Sequence, residues 1–335
     1  MPYPPGNGVR VSAPARLHLG FLDLHGGLGR RFGSIGLALE WPRTIVEAMP
    51  APRFYYQGPV SHRAQRITEH FYKVLSKQRL QANRAVHLTI KEAIPDHSGL
   101  GSGTQLALAI GRAISQVNHL PLSIPEIAAL LDRGKRSGIG IGSFLKGGFL
   151  VDGGLKPNGR IPPLICRHDF PEEWWILLII EPTLQGLHGT AESAAFHSLP
   201  PFPAEQAAAL CRLTMMQALP ALVERDIKTF GQALNAIQAA IGDYFAPAQG
   251  ARFASPWIAA ALQQAQQWGI PAVGQSSWGP TGFALVEGET AVRNLQARLI
   301  QWAKGALQGG PKLQFIITRA CNQGGKMESF VDPTK

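Results

Sequence analysis

The sequence predicts an α+β fold with two lobes. Strand-like and helix-like segments follow one another along the 335 residues without the regular alternation of a βαβ array. The composition is 45% hydrophobic and only 16% charged, which indicates a large packed core rather than a disordered chain. A stretch rich in Pro and Gly, residues 155–171, marks the junction. We therefore expect an N-terminal lobe over residues 1–165 and a C-terminal lobe over residues 166–335.

In the first lobe, apolar residues repeat with two different periods. Alternation such as Val86, Leu88 and Ile90 predicts a half-buried strand, whereas spacing of three to four predicts a helix. The predicted strands are Val9–Leu24, Thr44–Met49, Arg53–Gln57, Val86–Lys91 and Phe149–Val151. The predicted helices are Ile67–Leu80, Gln105–Asn118 and Ile124–Arg133. Ser123 and Pro125 are typical of the start of the last helix.

The second lobe begins with the strongest apolar run of the chain, Trp174–Ile180. A membrane-spanning helix needs about 20 residues, so this shorter run predicts a buried strand and no membrane partner. The other predicted strands are Phe283–Val286 and Leu313–Thr318, and the predicted helices are Ala204–Leu219, Ala221–Ile241, Pro256–Trp268 and Thr290–Ala306. Met215 and Met216 are expected on the buried side of their helix.

Charge and cysteine content exclude several protein classes. Cys166, Cys211 and Cys321 are far apart and show no disulfide or zinc spacing, which suits a reducing cytoplasm. The N-terminus has no signal-peptide core. The net charge is +10, but the basic residues are scattered and no nucleic-acid-binding motif is present. The charge favours a small anionic substrate over nucleic acid, with general surface charge as the alternative.

A glycine-rich turn between a predicted strand and a predicted helix indicates an anion site. Helix N-termini present unpaired N–H groups and the positive end of a dipole, and glycine lets an anion approach the backbone. The spacing is neither that of a P-loop nor that of a dinucleotide-binding fingerprint. The expected phosphate-binding residues are Ser98, Gly99, Gly101, Ser102, Gly103 and Thr104. The alternative is a turn without a ligand.

Three segments resemble motifs of the GHMP kinase superfamily. Pro95-x-x-x-Gly99-Leu-Gly-Ser102 resembles the second motif, and Ala13–Gly20 and Gly274–Phe283 stand where the superfamily has its first and third motifs. The order and spacing agree over nearly the whole chain. The resemblance implies an N-terminal lobe like domain 2 of ribosomal protein S5 and a ferredoxin-like C-terminal lobe.

A narrower resemblance is to the β-ribofuranosylaminobenzene 5′-phosphate synthases, a GHMP-fold family that is not kinases. The matching segments are Arg16–Gly26, Gly99–Leu106, Arg136–Gly140, Gly147–Gly154 and Gly274–Thr281. The resemblance implies condensation of phosphoribosyl pyrophosphate with 4-aminobenzoate, or with 4-hydroxybenzoate in some members, releasing CO₂ and pyrophosphate during methanopterin synthesis. It also implies a homodimer.

The residues favour this chemistry over phosphoryl transfer by a GHMP kinase, which remains the alternative. Residues 137–144 contain no acid, and Arg16 stands where the kinases have Lys. Asp23 or Asp152 would have to replace the missing acid. Mg²⁺ is the expected cofactor because pyrophosphate must leave, whereas ATP, PLP and nicotinamide are not expected.

Five residues are candidates for catalysis, each with a structural alternative. They are Arg16, His18, Asp23, Asp152 and Glu192. Asp152 is expected to bind the ribose or Mg²⁺, and the alternative for both aspartates is a turn before glycine. His18 would otherwise be a core histidine, and Glu192 would favour a helix start.

Seven further residues are candidates for substrate binding. They are Arg30, Arg31, Arg136, His188, Ser276, Ser277 and Trp278. An arginine suits the benzoate carboxylate or the 5′-phosphate, and otherwise carries an ordinary loop charge. Trp278 would stack on the aromatic substrate, although a lone Trp more often packs in a core.

Overall fold

A computed structural model describes residues 7–186, 189, 196 and 198–331, which form two β-sheets with helices. The strands of the first sheet are β1 (Asn7–Asp23), β2 (Phe32–Ala51), β3 (Tyr55–Gln57), β4 (Ala85–Glu92), β5 (Phe149–Asp152), β6 (Leu164–His168) and β11 (Lys326–Val331). Those of the second are β7 (Trp174–Ile180), β8 (Ala272–Gln275), β9 (Thr281–Glu287) and β10 (Gln314–Thr318).

The described helices follow the predicted order. They are α1 (Ser61–Lys77), α2 (Ser102–Val117), α3 (Ile124–Leu130), α4 (Ile139–Leu145), α5 (Ala204–Leu213), α6 (Leu219–Glu224), α7 (Ile227–Gln249), α8 (Pro256–Gln267) and α9 (Glu289–Ala306). Ser123 caps α3 as expected, since its hydroxyl accepts from the Glu126 N–H and the Glu126 carboxylate accepts from the Ser123 N–H.

The two sheets confirm the α+β class. The first has the order β11-β1-β2-β4-β3, with β5 joined to β2 and β6 joined to β5. The second is antiparallel in the order β10-β7-β9-β8, which is the ferredoxin-like order of its four strands. Strand β7 is apolar throughout because both of its faces are covered: Ile176 and Leu178 face the core between the sheets, and Leu177 and Ile179 face α8 and α9.

A bulge in β1 decides which way Arg16 points. The register of β1 on β2 shifts between Pro14 and Ala15. Before the shift, Val11 packs in the core under α1 and α2, whereas after it Leu17 packs in the core between the sheets. The bulge therefore changes the side of the sheet on which odd-numbered residues lie, and it turns Arg16 towards the start of α2.

Several elements differ from the prediction. Strand β2 begins twelve residues earlier than expected, and the strands β6, β8 and β11 and the helix α4 were not predicted. The expected division at residue 165 falls inside β6, and β11 returns from the end of the chain to pair with β1. Neither feature could be read from the local sequence, because β6 and β11 both form by pairing with strands that are distant in sequence.

The predicted helix Ala204–Leu219 contains a π-helical turn over Thr214–Ala218. This wider turn buries Thr214 and Ala218 and leaves Met215 and Met216 exposed. The expectation that both methionines lie in the core is therefore wrong. In the described part of the chain, no helix has the length and apolar character needed to cross a bilayer.

Candidate functional site

The predicted anion loop lies between β4 and α2, at the start of α2. Gly99 and Gly101 have φ angles of +81° and +84°, a conformation that suits glycine. Residues 101–104 are half-buried, and no side chain caps the helix. Among the described residues, the N–H groups of 99–103 donate no hydrogen bond to the protein. Leu100 is fully buried, so the loop presents available donors to an anion at the half-buried Gly99, Gly101, Ser102 and Gly103.

Hydroxyl groups from the second sheet fix the carbonyl groups of this loop. Ser276 donates to the Gly99 carbonyl at 2.7 Å and accepts from the His18 N–H at 3.0 Å. Thr281 donates to the Ser98 carbonyl at 2.7 Å, and the Arg16 guanidinium also donates to the Gly99 carbonyl. Ser276 is fully buried, so its hydroxyl holds the loop and does not face a substrate.

Two arginines that the sequence did not single out lie beside the same helix start. A Cβ placed on Gly103 would lie 3.3 Å from Arg63 Nη2 and 3.7 Å from Arg133 Nη1. Arg63 comes from α1 and Arg133 follows α3, so the fold alone brings them together. Arg63 also pairs with Asp96. Burial lowers the pKa of both guanidinium groups, and the charges of Arg133 and Arg66 lower that of Arg63 further.

His18 is a buried and neutral histidine. Burial lowers its pKa to about 3, with a smaller contribution from the charge of Arg16. Its ring lies 4.6 Å from that of Phe21, and its Nε2 has no hydrogen-bond partner among the described residues. The ring borders a cavity of about 30 Å³ that it shares with Gln238 and Trp278. A space of that size holds one water molecule and is too small for a benzoate.

Asp152 holds a helix start and a turn together. Its carboxylate accepts from the Gly138 N–H at 2.8 Å, the Ser137 hydroxyl at 3.2 Å and the Gly154 N–H at 2.9 Å. The residue is 1% exposed, and burial raises its pKa despite these donors. Both oxygens thus accept hydrogen bonds inside the protein, and the role of Asp152 as a Mg²⁺ ligand or ribose contact stays a prediction.

No other described group replaces it as a metal site. Among residues 7–186, 189, 196 and 198–331, no group of three or more His, Cys, Asp or Glu side chains is placed to hold a metal ion. At the loop itself, the nearby carboxylate is Asp96, and it pairs with Arg63. The remaining oxygen donors there are the hydroxyl groups of Ser102 and Thr104. The Mg²⁺ expectation stays a prediction.

Asp23 and the arginines of the next segment serve the chain's own turns. Asp23 accepts from the Gly26 N–H at 2.8 Å, as in an ordinary turn. Arg30 donates to the Gly153 and Gly154 carbonyls at 2.6 and 3.0 Å. Arg31 donates to the Leu24 carbonyl at 3.0 Å and lies over the Phe32 ring. These contacts hold the turns of the chain itself, and the roles of Asp23, Arg30 and Arg31 in the reaction stay predictions.

The remaining candidates divide between the core and an aromatic cluster. Trp278 is 3% exposed and packs on Phe245 and Phe196 at centroid distances of 4.2 and 5.5 Å, as a core residue does. The Arg136 guanidinium lies 5.1 Å from the Phe196 ring centroid. Ser277 donates its N–H to the His18 carbonyl. His188 and Glu192 lie outside the described residues.

Comparison with known proteins identifies the family to which the chain belongs. The chain matches the model of the GHMP kinases N terminal domain over residues 65–148 and that of the GHMP kinases C terminal domain over residues 218–304. It is 32% identical over 332 residues to the beta-ribofuranosylphenol 5′-phosphate synthase of Archaeoglobus fulgidus, covering 96% of this chain and 99% of that protein. The chain belongs to the β-ribofuranosylphenol 5′-phosphate synthase family. It is therefore an enzyme, and the expected resemblance is confirmed.

Other members and neighbours place this synthase family beside the kinases. The synthase of Methanothermobacter thermautotrophicus is 31% identical and covers 83% of this chain and 88% of its own. A 4-diphosphocytidyl-2-C-methyl-D-erythritol kinase of Bacillus velezensis is 27% identical over 76% of each chain. Among solved structures, Lactococcus lactis galactokinase superposes with a TM-score of 0.71 at 15% identity, covering 95% of both chains. The synthase family thus shares the kinase fold.

Proposed function

We propose that this family member is a pentosyltransferase of tetrahydromethanopterin biosynthesis. It joins 5-phosphoribosyl 1-pyrophosphate to 4-aminobenzoate, or to 4-hydroxybenzoate, and releases CO₂ and pyrophosphate. The observation that carries the proposal is the start of α2 in a chain of the synthase family: the N–H groups of Gly99 and of residues 101–103 have no partner among the described residues and lie beside Arg16. The relatives' names support it, since they describe a ribofuranosylphenol 5′-phosphate.

The bonds of the proposed reaction balance without a redox partner. The bond from ribose C1 to the pyrophosphate oxygen breaks, and its electron pair leaves with pyrophosphate. The ring carbon that carries the carboxylate then forms a bond to C1, aided by the electron-donating amino or hydroxyl group opposite. Loss of CO₂ returns its electron pair to the ring and restores aromaticity. The product is a C-riboside.

In this reaction the protein stabilises the negative charge that develops on the leaving pyrophosphate. Negative charge builds up on pyrophosphate as it leaves, and preorganised donors stabilise such charge without rearranging. Ser276 and Thr281 hold the carbonyl groups of Gly99 and Ser98, which fixes the orientation of the peptides at the start of the loop. The net charge of +10 favours two anionic substrates. His18 is neutral and contributes no charge to this balance.

The acid expected of a kinase is missing from the described site. Residues 137–144 lead into α4 and form most of it, and they contain no Asp or Glu. Asp96 pairs with Arg63, and Asp152 is enclosed by three donors. Neither of these two carboxylates is thus available to take a proton from an attacking alcohol. This favours departure of pyrophosphate over transfer of a γ-phosphate.

The deciding experiment uses carboxyl-labelled substrates. Purified protein is incubated with phosphoribosyl pyrophosphate, Mg²⁺ and 4-amino- or 4-hydroxybenzoate labelled at the carboxylate. We expect labelled CO₂ and pyrophosphate in equal amounts, and the ratio of kcat/KM for the two acids identifies the physiological one. Absence of CO₂, together with ATP-dependent phosphorylation of a small alcohol, would refute the proposal in favour of a kinase.

The proposal also covers the oligomeric state, the cellular compartment and the metal requirement of the enzyme. We expect a homodimer in the cytoplasm, with no nucleic-acid partner. Light scattering on the purified chain tests the dimer, since a mass near twice 36.1 kDa is expected. Omission of Mg²⁺ from the labelled assay tests the cofactor.

A further inference from the structure

Two guanidinium groups flank one point in the first turn of α2. The ideal Cβ position of Gly103 lies 3.3 Å from Arg63 Nη2 and 3.7 Å from Arg133 Nη1. A methyl group there would touch both arginines. Gly103 itself is half-buried and leaves this point open. The arginine pair, Arg63 and Arg133, therefore lies beside the first N–H groups of the helix.

The protein balances the charge of this pair only in part, since Asp96 pairs with Arg63 and the charge of Asp132 acts on Arg133. Two cations lie close together at the positive end of a helix dipole, where each disfavours the other. Asp96 pairs with Arg63, with side chains 31% and 23% exposed. Arg133 Nε is buried and has no hydrogen bond within the described residues. An anion with several oxygens would satisfy both guanidinium groups and the helix N–H groups together.

We propose that the arginine pair holds the departing pyrophosphate, and that Asp96 is the counter-ion that Arg63 exchanges for it. The inference rests on the proposed function, because that reaction supplies the pyrophosphate. Arginine suits the task, since its planar fork binds phosphate oxygens in pairs and keeps its charge when half-buried. Arg16 lies across the loop beside Gly101, so pyrophosphate would meet positive charge on both sides of the helix start.

The exchange gives Asp96 a distinct role. Before substrate binds, its carboxylate neutralises Arg63 and limits repulsion within the pair. When pyrophosphate has left the ribose, Asp96 competes with it for Arg63 and favours release. Asp96 is thus a positioning residue and not a proton acceptor.

The test measures binding of inorganic pyrophosphate to the full chain by calorimetry, and its inhibition of the reaction against phosphoribosyl pyrophosphate. Arg63→Gln and Arg133→Gln are each expected to weaken pyrophosphate binding about tenfold to a hundredfold, because each removes a charge-assisted contact. Arg63→Lys is expected to recover part of the loss. The matched control is Arg66→Gln, which removes the same charge from an exposed position one turn along α1. It is expected to change binding less than threefold.

Asp96→Asn separates counter-ion exchange from a structural role. We expect it to tighten pyrophosphate binding several-fold and to slow turnover if product release limits the rate. A weaker affinity in Asp96→Asn would overturn the exchange. Wild-type affinity in both Gln variants, or equal losses in Arg63→Gln and Arg66→Gln, would overturn the arginine pair. The melting temperature of each variant shows that it is folded.

The proposed function and this inference fail in different ways. If no riboside or CO₂ forms while the Gln variants still lose pyrophosphate affinity, the reaction assignment is wrong and the pyrophosphate site stands. If riboside and CO₂ form while those variants bind pyrophosphate like the wild type, the reaction stands and the arginine pair is wrong. Inorganic phosphate, tested in parallel, is expected to bind more weakly because it carries less charge and offers fewer oxygens to the two guanidinium groups.

Discussion

Gly99 and Gly279 pack backbone against backbone, and neither position has room for a side chain. A Cβ on Gly279 would lie 2.2 Å from Gly99 Cα, and a Cβ on Gly99 would lie 2.3 Å from the Ser276 carbonyl oxygen. Contacts this short with backbone atoms require the chain itself to move. The third glycine-rich motif therefore serves as a support that fixes the position of the anion loop.

This contact predicts the effect of Gly279→Ala. The extra methyl group pushes the anion loop away from its support, which we expect to lower the free energy of unfolding by about 1–3 kcal/mol. Displacement of the loop donors by about 1 Å is expected to reduce kcat/KM for phosphoribosyl pyrophosphate by roughly a hundredfold. Thermal unfolding and steady-state kinetics measure the two effects.

The matched control is Gly305→Ala, on the exposed side of α9. A Cβ there meets no atom within 4 Å. Ala in a helix is expected to stabilise the protein by about 0.5–1 kcal/mol with unchanged kinetics. If Gly279→Ala behaves like this control, the close approach of the two loops has no bearing on the site. Gly101→Ala is a poorer probe, since its φ of +84° adds backbone strain to any effect on the anion.

Trp278 is expected to act in packing and not in substrate stacking. Trp278→Ala should lower the free energy of unfolding by about 3–5 kcal/mol, because the ring fills the space against Phe245 and Phe196. Trp278→Phe keeps an aromatic ring there, so it should retain the KM for the benzoate while losing less stability. A benzoate KM raised tenfold in a stable Trp278→Phe protein would restore the stacking hypothesis.

The sequence predicted correctly those elements whose signals lie in one short stretch of the chain. The strand before Ile94, the glycine turn and the helix after it were predicted together, because all their signals lie within one continuous stretch. The capping box of Ser123 is likewise local. Family resemblance then supplied the order of the lobes, and both sheets agree with it.

The sequence did not predict those parts of the site that form when segments distant in sequence pack together. Arg63 and Arg133 lie 70 positions apart, and only the packing of α1, α2 and α3 brings them to Gly103. The bulge after Pro14, which turns Arg16 towards the loop, is a property of pairing with β2. A buried polar side chain is also ambiguous in sequence: Asp152 has the same flanking glycines whether it binds a ligand or a helix start.

Asp152→Asn distinguishes those two roles. An amide keeps one acceptor but turns an NH₂ group towards a backbone N–H, so we expect the free energy of unfolding to fall by about 1–3 kcal/mol. Turnover per folded molecule and its dependence on Mg²⁺ should be retained. The control, Asp243→Asn, removes an exposed pair with Arg252 and should cost about 0–1 kcal/mol. A stable Asp152→Asn protein with lost turnover would support the original metal or ribose assignment.

His18 is expected to make the stability of the protein depend on acid. Its pKa in the folded protein is about 3, against 6.5 for an ordinary histidine. Between these values the unfolded chain binds a proton that the folded protein does not bind. Acid therefore favours unfolding, and stability falls as the pH drops from about 6.5 towards 3, by up to about 1.4 kcal/mol per pH unit.

His18→Leu removes this titration and leaves intact the backbone bonds from position 18 to Ser276 and Ser277. Denaturant unfolding of both proteins at a series of pH values from 7 to 4 measures the difference between them. We expect the wild type to lose stability relative to the variant as the pH falls, because the buried ring resists protonation. Parallel curves over that range would show that His18 accepts a proton in the folded state, and would return it to consideration as an acid–base group in the reaction.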